Sequence, residues 1–151
     1  MASRLKNATL TVQLNENINM NTAGYTGNSK YGHSITRTYT GINEFQKIIT
    51  TATTSAVDVL TFASARAGGT VIVGDVKYLR VTNLDTSTAI RLQLSDSSND
   101  HVWLQLDPGK SFMMTTFETG FMGGNALSDL ATIAIVTASG TADCEVVVAS
   151  A

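Results

Sequence analysis

The sequence has few of the residues from which catalytic and metal sites are usually built. It contains one cysteine and two histidines in 151 residues, so an intrachain disulfide is excluded and the paired spacing of zinc ligands is missing. We expect Cys144 to be a small buried residue on the same face as Val146 and Val148, and His101 to face solvent from a strand. These shortages predict a protein with no catalytic residues, no cofactor and no metal site.

Charge is also scarce. Only 15% of the residues are charged and the net charge is −2, whereas typical soluble domains carry about 25% charged residues. Without a basic stripe to neutralise phosphates, direct nucleic-acid binding is not expected. No apolar run is long enough for a membrane span, and the N-terminus lacks the apolar segment of a secretory signal. We therefore expect no membrane contact and synthesis in a reducing cytosol.

The motifs of common enzyme classes are missing as well. The sequence has no Gly-x-Ser-x-Gly nucleophile elbow, and its glycine pairs lack the Lys-Ser/Thr of a phosphate loop. Several carboxylates fall in predicted turns, among them Asp85, Asp96 and Asp107, where such groups usually bond their own backbone. The cluster at 96–100 faintly suggests a calcium loop, but it lacks the ligand spacing of one. We interpret it as a turn.

What is present is an alternation of apolar and polar residues with a period of two, and no sustained helical period. Threonine, whose branched Cβ suits a pleated sheet, is the most frequent residue. The alternation predicts strands at 9–14, 34–40, 45–51, 57–62, 70–73, 76–83, 90–94, 101–106, 111–117, 130–137 and 144–149. Turn signals between them are typical of a sandwich or a barrel. We predict an all-β protein, a single antiparallel β-sandwich that is jelly-roll-like.

Three turns suggest which strands pair. An Ala/Thr/Ser turn at 52–55 separates 45–51 from 57–62, and we expect these two strands to pair. Asp107-Pro108-Gly109 is the sharpest turn of the chain, because proline presets φ and glycine tolerates positive φ. It is expected to close a hairpin of 101–106 with 111–117. The closing strands 130–137 and 144–149 are joined at 139–141.

The N-terminal region has a different character. Residues 16–34 are polar and rich in Asn and Gly, and they are too long for an ordinary connection. We predict that residues 1–33 form an arm or extended loop, ordered by contact with a partner, and that residues 34–151 form the sandwich domain. Tyr25 and Tyr31 of the arm are candidate partner contacts.

Further candidate contacts come from the outward side of the sandwich. In strand 101–106 the inward positions are Val102, Leu104 and Leu106, which places Trp103, the only tryptophan, on the opposite face. An outward tryptophan suits a protein contact or a sugar-stacking platform, although a strand buried on both faces or a covering loop would hide it. Phe121 and Met122, between glycines, are candidate anchors that could equally tuck under the sandwich.

A resemblance to a known group is carried by the segment from Val76 to Phe112. It reads Val-Lys-Tyr-Leu-Arg-Val-Thr-Asn-Leu, then Ile-Arg-Leu-Gln-Leu, then Trp-Leu-Gln-Leu-Asp-Pro-Gly-Lys-Ser-Phe. This segment resembles small β-sandwich virion proteins of tailed bacteriophages, particularly head decoration (cement) proteins and related tail accessory proteins. The resemblance covers about a quarter of the chain and transfers no individual functional residue.

The resemblance implies a mechanical function in the virion. Cement proteins bind the outside of the shell and bridge major capsid protein subunits, commonly as dimers or trimers. We therefore expect a non-enzymatic virion protein whose partners are the major capsid protein, or another virion protein, and further copies of itself. Two alternatives stay open: a tail, fibre or knob component, and a carbohydrate-binding module that stacks Trp103 and a tyrosine such as Tyr78 on sugar rings.

Overall fold

The structure, a computed structural model, describes residues 3–20, 29–63, 71–98, 100–114 and 130–151. Within these ranges the chain forms ten strands and one short 3-10 turn, Val73–Asp75. The strands are β1 (Ser3–Met20), β2 (Ser29–Ala52), β3 (Val57–Ala63), β4 (Val71–Ile72), β5 (Val76–Asn83), β6 (Ile90–Asp96), β7 (His101–Leu106), β8 (Ser111–Met114), β9 (Leu130–Thr137) and β10 (Ala142–Ser150). No helix of the described residues has the length and apolarity to cross a membrane.

The strands form two five-stranded sheets. Sheet I has the order β1-β2-β10-β5-β8 and sheet II the order β4-β3-β9-β6-β7. Apart from the short parallel pair β3–β4, neighbouring strands are antiparallel. Without β1 and β4, the eight remaining strands have the orders β2-β10-β5-β8 and β3-β9-β6-β7, which is the strand arrangement of a jelly roll. The predicted all-β sandwich is confirmed.

Alternating residues of both sheets fill the space between them. Leu79 and Val81 of β5 and Val146 of β10 meet Leu92 of β6 and Ile135 of β9, and each of these five side chains is fully buried. Cys144 is also fully buried in this main core, beside Val146 and Val148, as the sequence predicted. Burial raises the pKa of its thiol to about 12, with a smaller contribution from Glu145, so the thiol stays protonated at neutral pH.

The predicted strands lie within observed strands for most of the described residues, although 34–40 and 45–51 belong to one strand, β2, and Val73 lies in the 3-10 turn. Residues 70 and 115–117 of the predicted strands lie outside the described residues.

The predicted pairs do not agree with the structure. β2 lies in sheet I and β3 in sheet II, so the strands at 45–51 and 57–62 do not pair. The same correction applies to β7 with β8, because the Asp107-Pro108-Gly109 turn connects one sheet to the other. The turn itself is as expected, with Gly109 at φ 70 and the Lys110 N–H donating to the Asp107 carbonyl at 3.0 Å. A turn signal reports a chain reversal, and does not report whether the reversal lies within one sheet.

The predicted irregular stretch at 16–34 is wrong where the structure describes it. Residues 16–20 continue β1, and residues 29–34 begin β2. The two segments pair in register, with Glu16 opposite His33 and Asn17 opposite Gly32. Backbone pairing here overrides the low strand propensity of the Asn-rich sequence. β2 runs through residue 34, and the division of the chain into an arm and a domain at that position stays a prediction.

Candidate interaction surface

The most distinctive feature outside the sandwich is a long two-stranded ribbon, which we define as residues 8–20 of β1 and 29–42 of β2. β10 pairs with β2 only from Glu44 to Ala52. Beyond that point β2 pairs only with β1 among the described residues, and β1 is the edge strand of sheet I. The ribbon therefore has two edges of unpaired backbone N–H and C=O groups within the described part of the chain.

The ribbon bends where it leaves the sheet. The β1–β2 register shifts on both sides of Ala8, and two residues near this level have positive φ, Asn7 at 51° and Gly41 at 73°. Bulges of this kind bend a strand and increase its twist. The bend turns the ribbon back over the outer face of its own sheet.

A second hydrophobic cluster forms where the ribbon crosses that face. Ile42, Tyr78, Val147 and Ala149 are buried there. Ala8, Leu10, Val12, Tyr39 and Phe45 pack against them. This contact fixes the inner half of the ribbon. It also buries Tyr78, which is 7% exposed. Because Tyr78 lies in sheet I and the exposed Trp103 lies in sheet II, these two rings cannot form one sugar-stacking platform.

A shallow cleft of about 380 Å³ lies between the ribbon and sheet I, and three charged side chains line it. Glu145 of β10 accepts from Lys47 of β2 at 2.7 Å and also pairs with Arg80 of β5. The hydrogen bond from Lys47 is the main cause that lowers the pKa of Glu145, and the charge of Arg80 adds to it. The three residues join the three central strands of the sheet, and their charges sum to one positive charge.

The ribbon has two chemically different faces. Paired residues of an antiparallel ladder share a face, so Thr11 with Thr38, Gln13 with Thr36, and Asn15 with Ser34 make a polar face. The opposite face carries Leu10 with Tyr39, Val12 with Arg37, Leu14 with Ile35, and Glu16 with His33. Leu14 is 43% exposed and Ile35 is 38% exposed. The apolar face thus continues beyond the part that the sandwich covers.

Among the predicted contact residues, Trp103 can be placed with its surroundings. It points away from the core, is 45% exposed, and stands edge-on to the His101 ring with centroids 5.7 Å apart. Tyr31 lies in β2 opposite Ile18 of β1. Tyr25, Phe121 and Met122 lie outside the described residues. Trp103 belongs to a strand of sheet II and Tyr31 to a strand of sheet I, and partner contact by any of the five stays a prediction.

Two of the carboxylates in predicted turns, Asp85 and Asp96, accept hydrogen bonds from nearby backbone N–H groups. Asp85 Oδ1 accepts from the backbone N–H groups of Ser87 and Thr88, both at 2.7 Å, and these bonds lower its pKa. Asp96 Oδ1 accepts from the N–H groups of Ser98 and Asp100, so this carboxylate bonds nearby backbone, as the sequence predicted for a turn. Within the described ranges no three His, Cys, Asp or Glu side chains are grouped as metal ligands would be.

Sequence reasoning missed the ribbon, although it predicted a strand at 9–14 and another at 34–40. The signal was present in the matched alternation on either side of residues 16–34, with Leu10, Val12 and Leu14 before it and Ile35 after it.

Searches of protein-family models, of curated proteins and of solved structures find no match to the chain.

Proposed function

We propose that this protein is a non-enzymatic structural component of a tailed-phage virion, located on the capsid, where it cements major capsid protein subunits. The observation that supports this proposal is the ribbon, which offers unpaired backbone edges next to a stable jelly-roll body. The resemblance of residues 76–112 to head decoration proteins gives the proposal its biological setting.

The ribbon suits a cementing function for a physical reason. A two-stranded ribbon is at best marginally stable in water unless something packs on it. The second cluster covers the inner half, as far as Val12, whereas Leu14 and Ile35 are exposed. The outer half therefore gains stability when a neighbour adds a strand to one of its edges. Backbone pairing of this kind links subunits without a chemical motif.

The burial pattern of the sandwich also supports a docking function for the ribbon. The sandwich completes its own core without the outer half of the ribbon. A rigid body with a projecting strand pair can bind one subunit while it rests on another, and many copies add their effects across a shell. Because this protein would bind the assembled shell and not the separate capsid subunits, its binding would stabilise the assembled state by mass action.

The test removes the outer half of the ribbon and retains the packed half. Residues 16–33 are replaced by Asn-Gly, a two-residue hairpin turn, between the opposed residues Asn15 and Ser34. We expect the full chain to pellet with heads assembled from the parent phage's major capsid protein and to raise their melting temperature. The shortened variant should fold, as judged by its own cooperative melting, and stay in the supernatant.

Arg91→Ala is the control, because Arg91 is exposed on the other sheet and is not a predicted partner contact, and it should pellet like the unchanged chain. Equal pelleting by the shortened variant would rule out the ribbon as the docking element. Binding of the full chain to tails and not to heads would replace the capsid assignment with the tail alternative.

A further inference from the structure

The cleft between the ribbon and sheet I runs along a free strand edge. Consecutive residues of β1, from Leu10 to Gln13, line it. Successive residues of a strand point to opposite faces, so only the edge of β1 can present all of them to one space. β1 is the edge strand of sheet I and pairs only with β2 among the described residues. The cleft is therefore bordered by backbone N–H and C=O groups that have no strand partner in the described part of the chain.

The opposite wall of the cleft is the outer face of sheet I. Its residues lie two positions apart on three neighbouring strands and therefore share one face: Phe45 and Lys47 of β2, Glu145 and Val147 of β10, and Tyr78 and Arg80 of β5. Lys47 and Arg80 both pair with Glu145 but keep exposed side-chain area, whereas Glu145 is largely buried. The wall thus combines apolar surface with two accessible cations and a net charge of one positive.

We infer that this cleft receives an extended segment of the docking partner, which adds as a strand to the free edge of β1 and directs an acidic side chain toward Lys47 and Arg80. The inference rests on the proposed function for the identity of the partner, a capsid subunit, and it specifies which ribbon edge that subunit uses. The cleft lies at the inner end of the β1 edge, so a strand that pairs with the outer half of the ribbon continues into it.

Two properties of the cleft together select this ligand. A small anion would pair with the cations but would leave the backbone groups of β1 without partners. An uncharged strand would pair with that backbone but would leave the surplus positive charge without a counterpart. An added strand supplies backbone partners along its length, and its alternate side chains lie over sheet I, where an acidic residue meets the cations and its apolar neighbours meet Val147 and Tyr78.

The composition of the two ribbon edges also favours β1. Proteins protect exposed strand edges with charged side chains, and glycine weakens a strand. Between residues 8 and 20, β1 has a single charged residue, Glu16, and neither glycine nor proline. The β2 part of the ribbon has two cationic residues and two glycines: Lys30, Arg37, Gly32 and Gly41. β1 is therefore the less protected edge.

The test uses a fluorescent, end-capped peptide, Thr-Val-Thr-Glu-Thr-Val-Thr, whose valines and glutamate share one face of a strand. The full chain should bind it, and should bind the same peptide with lysine in place of glutamate roughly tenfold more weakly. Lys47→Glu should reverse this preference, because it changes the surplus charge of the cleft from positive to negative. Lys110→Glu makes the same charge change at an exposed residue outside the cleft, and it should leave both affinities unchanged.

Amide hydrogen exchange locates the added strand. With saturating peptide, exchange should slow at residues 10–13 of β1 and stay unchanged at residues 34–38 on the free edge of β2. Cooperative melting of each variant shows that it is folded. Slower exchange along β2 instead, binding without slower exchange at either edge, or no binding at ~1 mM peptide would overturn the inference.

Pelleting with heads separates this inference from the proposed function. Lys47→Glu should stay in the supernatant, whereas Lys110→Glu should pellet. If Lys47→Glu pellets like the unchanged chain, the cleft is not the docking site, and docking by the ribbon stands. If the unchanged chain binds the peptide along residues 10–13 but does not pellet, the proposed function falls and the cleft remains a strand-binding site. The variant with the shortened ribbon retains the cleft, so it should bind the peptide although it does not pellet.

Discussion

At the scale of single residues, the most completely buried polar side chain among the described residues is that of Asn83, at the end of β5. Its side chain is fully buried and satisfied: Nδ2 donates to the carbonyls of Thr88 at 2.8 Å and Leu106 at 3.0 Å, and Oδ1 accepts from the Asp85 N–H at 3.0 Å. Asn83 therefore joins the β5–β6 connection to the end of β7. The β5–β6 connection and the β7–β8 connection both cross from one sheet to the other. The Asn83 amide therefore helps to hold the two sheets in register.

Replacement of Asn83 by alanine leaves two carbonyls and one N–H of this site without partners. Because buried unpaired groups are costly, Asn83→Ala should lower the free energy of unfolding by about 2–3 kcal/mol. Urea denaturation measures the loss. Thr86→Ala in the same connection, where the residue is exposed, should change stability by less than about 0.5 kcal/mol. Equal effects would show that the network contributes little.

At the scale of elements, the ribbon bend depends on backbone conformation. Gly41 has φ 73 and no atom within 4 Å of the position where a Cβ would stand. Space is therefore available there, and the cost of a side chain arises from the left-handed conformation alone. The bend directs the apolar side chains of the ribbon onto sheet I, so its conformation and the second cluster support each other.

Gly41→Ala should destabilise the protein by about 1 kcal/mol, and Gly41→Asn by less, because asparagine tolerates positive φ better. Gly74→Ala is the matched control, since Gly74 also has open space around it but no positive φ, and it should be nearly neutral. Thermal or urea unfolding compares the three. A neutral Gly41→Ala would mean that the bend can relax without cost.

At the scale of the whole molecule, β10 belongs to two hydrophobic clusters at once. Val146 points into the main core between the sheets, and Val147, its neighbour, points into the second cluster beneath the ribbon. Both are buried, with exposures of 0% and 6%. The same truncation at the two positions therefore separates the stability of the sandwich from the attachment of the ribbon.

Val146→Ala should lower the free energy of unfolding by about 2 kcal/mol, because it leaves a cavity in a closely packed core. Val147→Ala should cost about 1 kcal/mol and should speed amide hydrogen exchange at Leu10 and Val12 selectively, through local opening of the ribbon. Exchange at Leu92 and Ile135 in sheet II serves as the reference. Uniform acceleration in both sheets would show that the ribbon does not open separately.

The sequence by itself determined the local structure of this protein. The alternation located the strands, buried Cys144 with Val146 and Val148, and turned Trp103 outward, because a pleated strand sends successive side chains to opposite faces. Turn chemistry located the reversal at Asp107-Pro108-Gly109 for an equally local reason, the φ preferences of its residues.

Only the tertiary structure decided which strands share a sheet and what covers the outer face. Strand pairing is a sum of contacts between residues far apart in sequence, and a turn that joins two sheets has the same local chemistry as a hairpin turn. Thus 45–51 and 57–62 separated into different sheets, and residues 16–20 and 29–34 of the polar stretch became part of a ribbon. The apolar face of that ribbon is visible in the sequence as alternation, but the partial burial of Leu10 and the exposure of Leu14 follow from where the sheet beneath them ends.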